Sequence, residues 1–347
     1  MPKGTNVIKS DAELKQAMDL KKANNLIAIA PPLVTHIYTA DPSAHVFNNR
    51  IYIYPSHDIE TDQPLNDNGD QYAMKDYHVL SLSDVKGEVT DHGKVLDVDD
   101  VPWASCQMWA PDAAHKNGHY YLYFPARDHD GIFRLGVARS KQPEGPFTAE
   151  PEAIQGSFSI DPAVYQDGED YYIYFGGIWG GQLQNWTEGK FNSVDNYPQD
   201  NEAAIMPKVA KLSEDMLQFA EPAKDIQILD EKGNLIQQGD TQRRFFEGPW
   251  VHKYDGLYYF SYSTGDTHMI AYATSESPTG PFTYQGVILE PVVGWTTHHS
   301  IAEYQGNWYL FYHDCMLSGG QSHLRSVKMT ELIHDDDGKI KTIQPYK

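Results

Sequence analysis

One hairpin is written five times in this chain, and no other feature restricts its fold as tightly. The stretch "TADPSAHVFNNRIYIYPSHD" (39–58) returns as "WAPDAAHKNGHYYLYFPA" (109–126), "IDPAVYQDGEDYYIYFGG" (160–177), "EGPWVHKYDGLYYFSYSTG" (247–265) and "HHSIAEYQGNWYLFYHD" (298–314). Each copy has a small, apolar first strand, a turn rich in Asn, Asp or Gly, and an aromatic second strand, which is the local chemistry of a β-hairpin. The segments "GVARSKQPEGPF" and "AYATSESPTGPF" follow two of the copies and add at least one further strand to the unit. Five such units closed into a ring predict an all-β chain, a five-bladed β-propeller with blades of four strands. A sandwich would also use many short strands, but it would not need the same hairpin five times.

The copies align on Tyr52, Tyr121, Tyr172, Tyr259 and Tyr309. Eleven residues before each tyrosine stand Asp41, Ala110, Asp161, Gly248 and His298, with Glu247 next to Gly248 and Asp112 two places after Ala110. If the first strand of each blade is innermost, this column lies at one mouth of the central channel, where Asp41, Asp161 and Glu247 converge. An Asp-Pro pair can simply start a turn, and a glutamate at a strand end is ordinarily a solvated charge. Three carboxylates at equivalent positions of different copies are not explained in that way. Such a set suits glycoside hydrolysis: one carboxylic acid protonates the leaving oxygen, one carboxylate activates water or attacks the sugar, and a third tunes the acid.

Composition removes several alternatives. With 48 acidic and 27 basic residues among 347, the formal charge of −21 repels phosphate backbones and anionic lipid faces, so neither nucleic acid nor a membrane is an expected partner. "LIAIAPPLV" is about half a membrane span and is interrupted by Pro31 and Pro32, which suits a lead-in strand instead. Ser10 and Glu13 have capping-box spacing, and "DAELKQAMDLKKAN" then suits a short helix. Residues 1–34 are thus expected to be an extension with that helix and strand, and residues 35–347 the propeller. The first 25 residues lack the apolar run of a secretory signal, which points to the cytoplasm. Cys106 and Cys315 allow no disulfide framework and read as two buried thiols. No phosphate loop, nucleophile elbow or zinc motif is present.

The motifs "TADPSAHVF", "SIDPAVY" and "FFEGPW", in this order and on five hairpins, resemble glycoside hydrolase family 43, inverting five-bladed propeller enzymes that act on xylose and arabinose linkages. The resemblance spans about residues 35–335. It implies that Asp41 is the general base, that Asp161 orients and tunes, and that Glu247 is the general acid. "WASCQMWAPDA", "FGGIWGGQLQ", "SYSTGDTH" and "GWTTHHSI" resemble the subgroup of mainly β-xylosidases, some needing calcium. This implies an exo-acting β-1,4-xylosidase on xylo-oligosaccharides, with an α-L-arabinofuranosidase or a bifunctional enzyme on arabinose-substituted substrates as the alternative. His298 would then stand beside one axial calcium ion, largely hydrated, and no organic cofactor is implied. Without the resemblance, His298 is equally a hydrogen-bonded imidazole in a polar channel.

Chain direction places the loops after each second strand on the catalytic face, and these hold His57, Arg127, Trp179 and Asp314. "DVPWASCQMW" enters the same face with Trp103 and Trp109. Trp103, Trp179 and Arg127 are therefore candidate substrate contacts, Trp103 first among them, although tryptophans at strand ends more often serve packing. The resemblance also suggests Arg325 at the base of the sugar pocket, where the plain reading would be a surface salt bridge. A sugar-binding propeller without catalysis is the alternative of a different class; it predicts binding with no turnover.

Overall fold

The computed structural model of the protein describes residues 23, 25–265 and 268–347, and within them the five hairpins become the inner halves of five sheets arranged in a ring. The first blade comprises β1 (Tyr38–Phe47), β2 (Arg50–Asp58), β3 (Asp76–Leu82) and β4 (Thr90–Asp97). The second contains β5 (Ala104–Cys106), β6 (Asp112–Lys116), β7 (His119–Asp128), β8 (Phe133–Ser140) and β9 (Thr148–Ala149). The third is built from β10 (Ala163–Asp167) and β11 (Asp170–Phe175). After a small side hairpin, β12 (Trp186–Thr187) and β13 (Lys190–Phe191), it is completed by β14 (Lys208–Lys211) and β15 (Lys224–Asp225). The fourth joins β16 (Ile228–Leu229), β17 (Phe245–Tyr254), β18 (Leu257–Thr264), β19 (Ile270–Ser275) and β20 (Phe282–Leu289). The fifth has β21 (His299–Tyr304), β22 (Asn307–Asp314) and β23 (Ser326–Leu332).

The aligned tyrosines occupy one register: Tyr52 faces His45, Tyr121 faces Ala114, Tyr172 faces Tyr165, Tyr259 faces His252 and Tyr309 faces Ala302, each partner seven residues upstream. The inner strands touch in cyclic order, β1 to β6, β6 to β10, β10 to β17, β17 to β21 and β21 back to β1, so the ring is closed. The chain's beginning completes the last blade, because Leu33 donates its N–H to the carbonyl of Val327 and Pro32 bridges Lys328.

Both faces of every sheet are covered, which explains why the second strand of each hairpin is apolar throughout rather than alternating with polar residues. In β2, Tyr52 and Tyr54 pack toward the second blade with Leu122 and Phe124, whereas Ile51 and Ile53 pack toward the fifth with Phe311. The same division recurs between the second and third blades (Tyr123, Ile173), the third and fourth (Tyr174, Phe260) and the fourth and fifth (Tyr259, Leu310). Each large side chain buried in these seams contributes roughly 1.5–3 kcal/mol. The seams hold the ring together without any disulfide.

Two expectations are corrected. The lead-in stretch forms isolated bridges rather than a strand, since Ala28 pairs with Tyr346 near the end of the chain and Pro32 with Lys328 of the closing blade, so no one neighbour runs along its length. Cys315 is buried, but Cys106 is exposed, because β5 is a short edge strand. The expected helix after Ser10 falls outside the described residues.

Candidate active site

At the column positions the inner strands leave regular geometry. Asp41, Asp161 and Gly248 all adopt the left-handed backbone conformation, with φ of 47°, 58° and 64°. The register of β1 shifts between Ala40 and Ser43, and that of β17 between Glu247 and Trp250. Aspartate tolerates this conformation better than most side chains, and glycine adopts it freely. The fourth blade therefore has glycine at the strained position and carries its carboxylate one residue earlier, on the longer Glu247. A Cβ on Gly248 would stand 3.0 Å from His298 Cδ2, so the bulge also lets the imidazole close on the backbone.

These bulges open onto a pocket on the channel axis, lined by residues from all five blades. Asp41, Asp161, Glu247, His298, Arg325 and Trp179 all line it. Asp41 is almost fully buried and held from three sides. Ser56 Oγ donates to its Oδ2 at 2.7 Å, Arg325 Nη1 donates to its Oδ1 at 2.9 Å, and its own N–H donates to His313 Nδ1 at 3.0 Å. Accepting that bond leaves His313 with its proton on Nε2, beside the carbonyl of Thr296. Burial pushes the His313 pKa down to about 3, so the ring is neutral.

The three carboxyls are driven apart electrostatically. Burial pushes Asp41 up, but Arg325 above all, with His313, His298 and the Ser56 hydroxyl, holds it below the ordinary aspartate range. Glu247 is pushed up to about 8, by burial first and then by the Asp41 charge, against a smaller lowering by Arg325. Asp161 is also raised, by burial and by the neighbouring Glu247 and Asp41, while the Gly248 N–H that donates to its Oδ2 at 3.0 Å pulls it back. Near neutral pH the site thus contains one fixed anion, Asp41, beside two coupled carboxyls, Glu247 and Asp161, that are both raised.

Arg325 is a buried anchor rather than a surface cation. Its Nε and Nη2 clamp Asp58 at 2.8 and 2.7 Å, its backbone N–H reaches the same carboxylate at 2.9 Å, and its guanidinium lies over the Tyr72 ring. Asp58 is itself almost wholly buried, so the arginine neutralises it and has one arm left for Asp41. Trp179 sits at a turn whose backbone passes very close to the 66–70 loop. A Cβ on Gly180 would lie 2.6 Å from the Asn68 carbonyl, so glycine there lets the two walls meet.

Trp103 is not in the pocket. It stacks on Phe124 at 5.9 Å in the seam between the first two blades, and Trp109, whose Nε1 donates to the Tyr72 carbonyl, lines the pocket instead. Arg127 is likewise outside the lining: it crosses the Phe133 ring and donates to the Asn68 amide oxygen at 3.3 Å, bracing the loop that forms the wall. His57 turns toward Asp76, and Asp314 is buried against Lys328 Nζ at 2.7 Å. The lining residues that escaped sequence reasoning include Tyr72, Phe246, Trp295 and Thr296. Trp295 and Thr296 stand inside "GWTTHHSI" and Phe246 inside "FFEGPW", so the motifs already contained three of them.

Residues 32–340 match the model of glycosyl hydrolases family 43. The chain belongs to this family. Among family 43 proteins it is 61% identical over 324 residues to xylosidase/arabinosidase 43A of Humicola insolens, covering 90% of this chain and 99% of that one. It is 57% identical over 314 residues to a xylosidase/arabinosidase of Bacteroides ovatus, covering 90% and 97%. A crystal structure of a family 43 β-xylosidase/α-arabinofuranosidase from a compost microbial metagenome superposes with a TM-score of 0.91 at 61% identity, covering 93% of this chain and 99% of that one. That enzyme was captured with xylotriose in a calcium-free form.

Proposed function

We propose that this family 43 protein is an inverting, exo-acting β-xylosidase that releases terminal xylose from β-1,4-linked xylo-oligosaccharides. The observation that carries the reading is the opposed tuning of two carboxyls in one pocket: Asp41 kept ionised by Arg325, and Glu247 kept protonated to about pH 8. In the reaction, the Asp41 carboxylate takes a proton from a water molecule as that water attacks the anomeric carbon. Glu247 gives its proton to the departing glycosidic oxygen, and the product sugar has the opposite anomeric configuration. Asp161 receives the Gly248 N–H and so holds the bulge that presents Glu247. Trp109, Trp179 and Trp295 offer apolar faces to the sugar ring, and the walls formed by the 66–70 loop and the Trp179 turn favour a chain end over an internal unit.

The names of the relatives favour a second activity, on α-L-arabinofuranosides, with the same carboxylates. The test is turnover of an aryl β-D-xyloside and an aryl α-L-arabinofuranoside, with the first-formed anomer followed by NMR. Faster xyloside cleavage with inversion is expected. Retention would overturn the mechanism, a preference for the arabinofuranoside would promote the second activity, and binding without turnover would leave a sugar-binding propeller.

A calcium ion beside His298 belongs to the same proposal. The residues fit it: Nε2 of this buried imidazole has no hydrogen-bond partner among the described residues and faces Asp161 Oδ2 at 3.7 Å, and burial pushes its pKa down, leaving a neutral ring with a lone pair. When bound, such an ion would supply positive charge to an acidic channel, with water providing most of its oxygen ligands. Chelation should lower activity and calcium restore it, with a weaker response in His298→Ala.

A further inference from the structure

We propose a second metal site, outside the catalytic pocket, in which His57, Asp76 and His78 bind a first-row divalent ion of the zinc class. The three residues each offer one ligand atom, and these atoms all lie within 4.8 Å of one another. Strand geometry puts them there. Ser56 pairs with Tyr77 across β2 and β3, so the next pair in the antiparallel ladder sets His57 opposite Asp76. His78, two residues on from Asp76, is on the same face of the sheet. Neighbouring Asp58 points to the other face, where Arg325 occupies it. The cluster and the catalytic pocket are therefore on opposite sides of one strand.

The surroundings are those of a ligand set rather than of a simple ion pair. His57 and His78 stand ring to ring with centroids 4.5 Å apart, although either imidazole alone would suffice to pair with Asp76. Asp91 Oδ1 lies 3.0 Å from His78 Nδ1, and Asp91 Oδ2 lies 2.7 Å from His36 Nε2. A carboxylate only accepts, so it holds the proton on His78 Nδ1 and leaves Nε2 as the lone-pair nitrogen. Metal-binding histidines are commonly oriented by this carboxylate-to-imidazole contact. His57 Nδ1 is 2.5 Å from Asp76 Oδ1, which couples the other two members of the set.

Donors on a tetrahedral zinc with bonds of about 2.0–2.1 Å are about 3.3 Å apart, so gathering this set requires side-chain movement of about an ångström. The side chains of His57, Asp76 and His78 are 16%, 20% and 13% exposed, enough for an ion to enter and for water to fill the remaining position. Two imidazoles and one carboxylate favour zinc and its first-row neighbours, whereas calcium prefers an all-oxygen set.

The test uses the whole chain, stripped with chelator and held in millimolar calcium to fill oxygen-rich sites, then titrated with zinc sulfate in a calorimeter. One equivalent of zinc should bind to the unaltered protein and to His298→Ala. His78→Ala and His57→Ala should lose that equivalent, and Asp91→Asn should weaken it about 10–100-fold, the usual effect of removing a contact behind a ligand. If an alanine variant does not melt cooperatively, His57→Gln and Asp76→Asn replace it. The proposal is overturned if the histidine variants titrate like the unaltered protein, if zinc uptake disappears only in His298→Ala, or if the unaltered protein takes up no zinc at about 100 μM.

Discussion

Replacing Glu247 by glutamine tests the central claim about this site, because it removes one proton and almost no volume. A glutamate at its ordinary pKa of 4.5 would be about 0.3% protonated at pH 7, whereas one at about 8 is about 90% protonated, roughly a 300-fold gain in acid ready to donate. For xylobiose, whose leaving alkoxide must be protonated, Glu247→Gln should lower kcat/KM by about 10²–10⁴. For a dinitrophenyl xyloside, which leaves without help, the loss should be about tenfold or less. The basic limb of the pH profile, expected near pH 8 in the unaltered enzyme, should vanish.

Asp41→Asn is the matched control and should impair both substrates alike. A stability measurement on Glu247→Gln adds an independent check. The folded protein binds more protons at this carboxyl than the unfolded chain between pH 4.5 and about 8, so stability falls as pH rises through that window. The fall is at most about 5 kcal/mol, less where Asp161 titrates with it. Glu247→Gln should therefore match the unaltered protein near pH 4 and melt higher at pH 9. Equal losses for both leaving groups, together with a surviving basic limb, would refute the assignment of Glu247 as the acid.

Two further substitutions probe the supporting structure. Arg325→Met leaves the buried Asp58 carboxylate with no cationic partner, only the backbone N–H of residue 325, and should cost about 3–5 kcal/mol in urea unfolding; in the folded fraction the acidic limb should move to higher pH, because the charge that lowers Asp41 is gone. Gly248→Ala forces a side chain onto a left-handed residue 3.0 Å from His298, so a loss of about 1–2 kcal/mol by thermal melting is expected, with a fall in kcat that exceeds any change in KM.

The repeat, the blade count and the column of polar residues were all legible in the sequence, because a hairpin's register and the period of two along a strand are local properties. The tyrosine alignment coincides with the observed pairing in all five copies for that reason. Sequence could also place Asp41, Asp161 and Glu247 at equivalent strand starts, since the same left-handed residue before a proline is encoded by Asp-Pro twice and by Glu-Gly-Pro once. It could not choose Trp109 over Trp103, because both lie in one connecting segment, and whether each faces pocket or seam depends on Tyr72 and Phe124, which come from other strands and loops.

Nor could it reveal what holds Asp41 ionised. Arg325 and His313 lie 284 and 272 residues away along the chain, and they meet Asp41 only because the last blade closes against the first. Local strand chemistry thus determined which residues stand at the mouth of the channel. Ring closure decided their protonation, because a carboxyl's pKa is set by burial and by the charges around it, and those neighbours come together only in the folded ring.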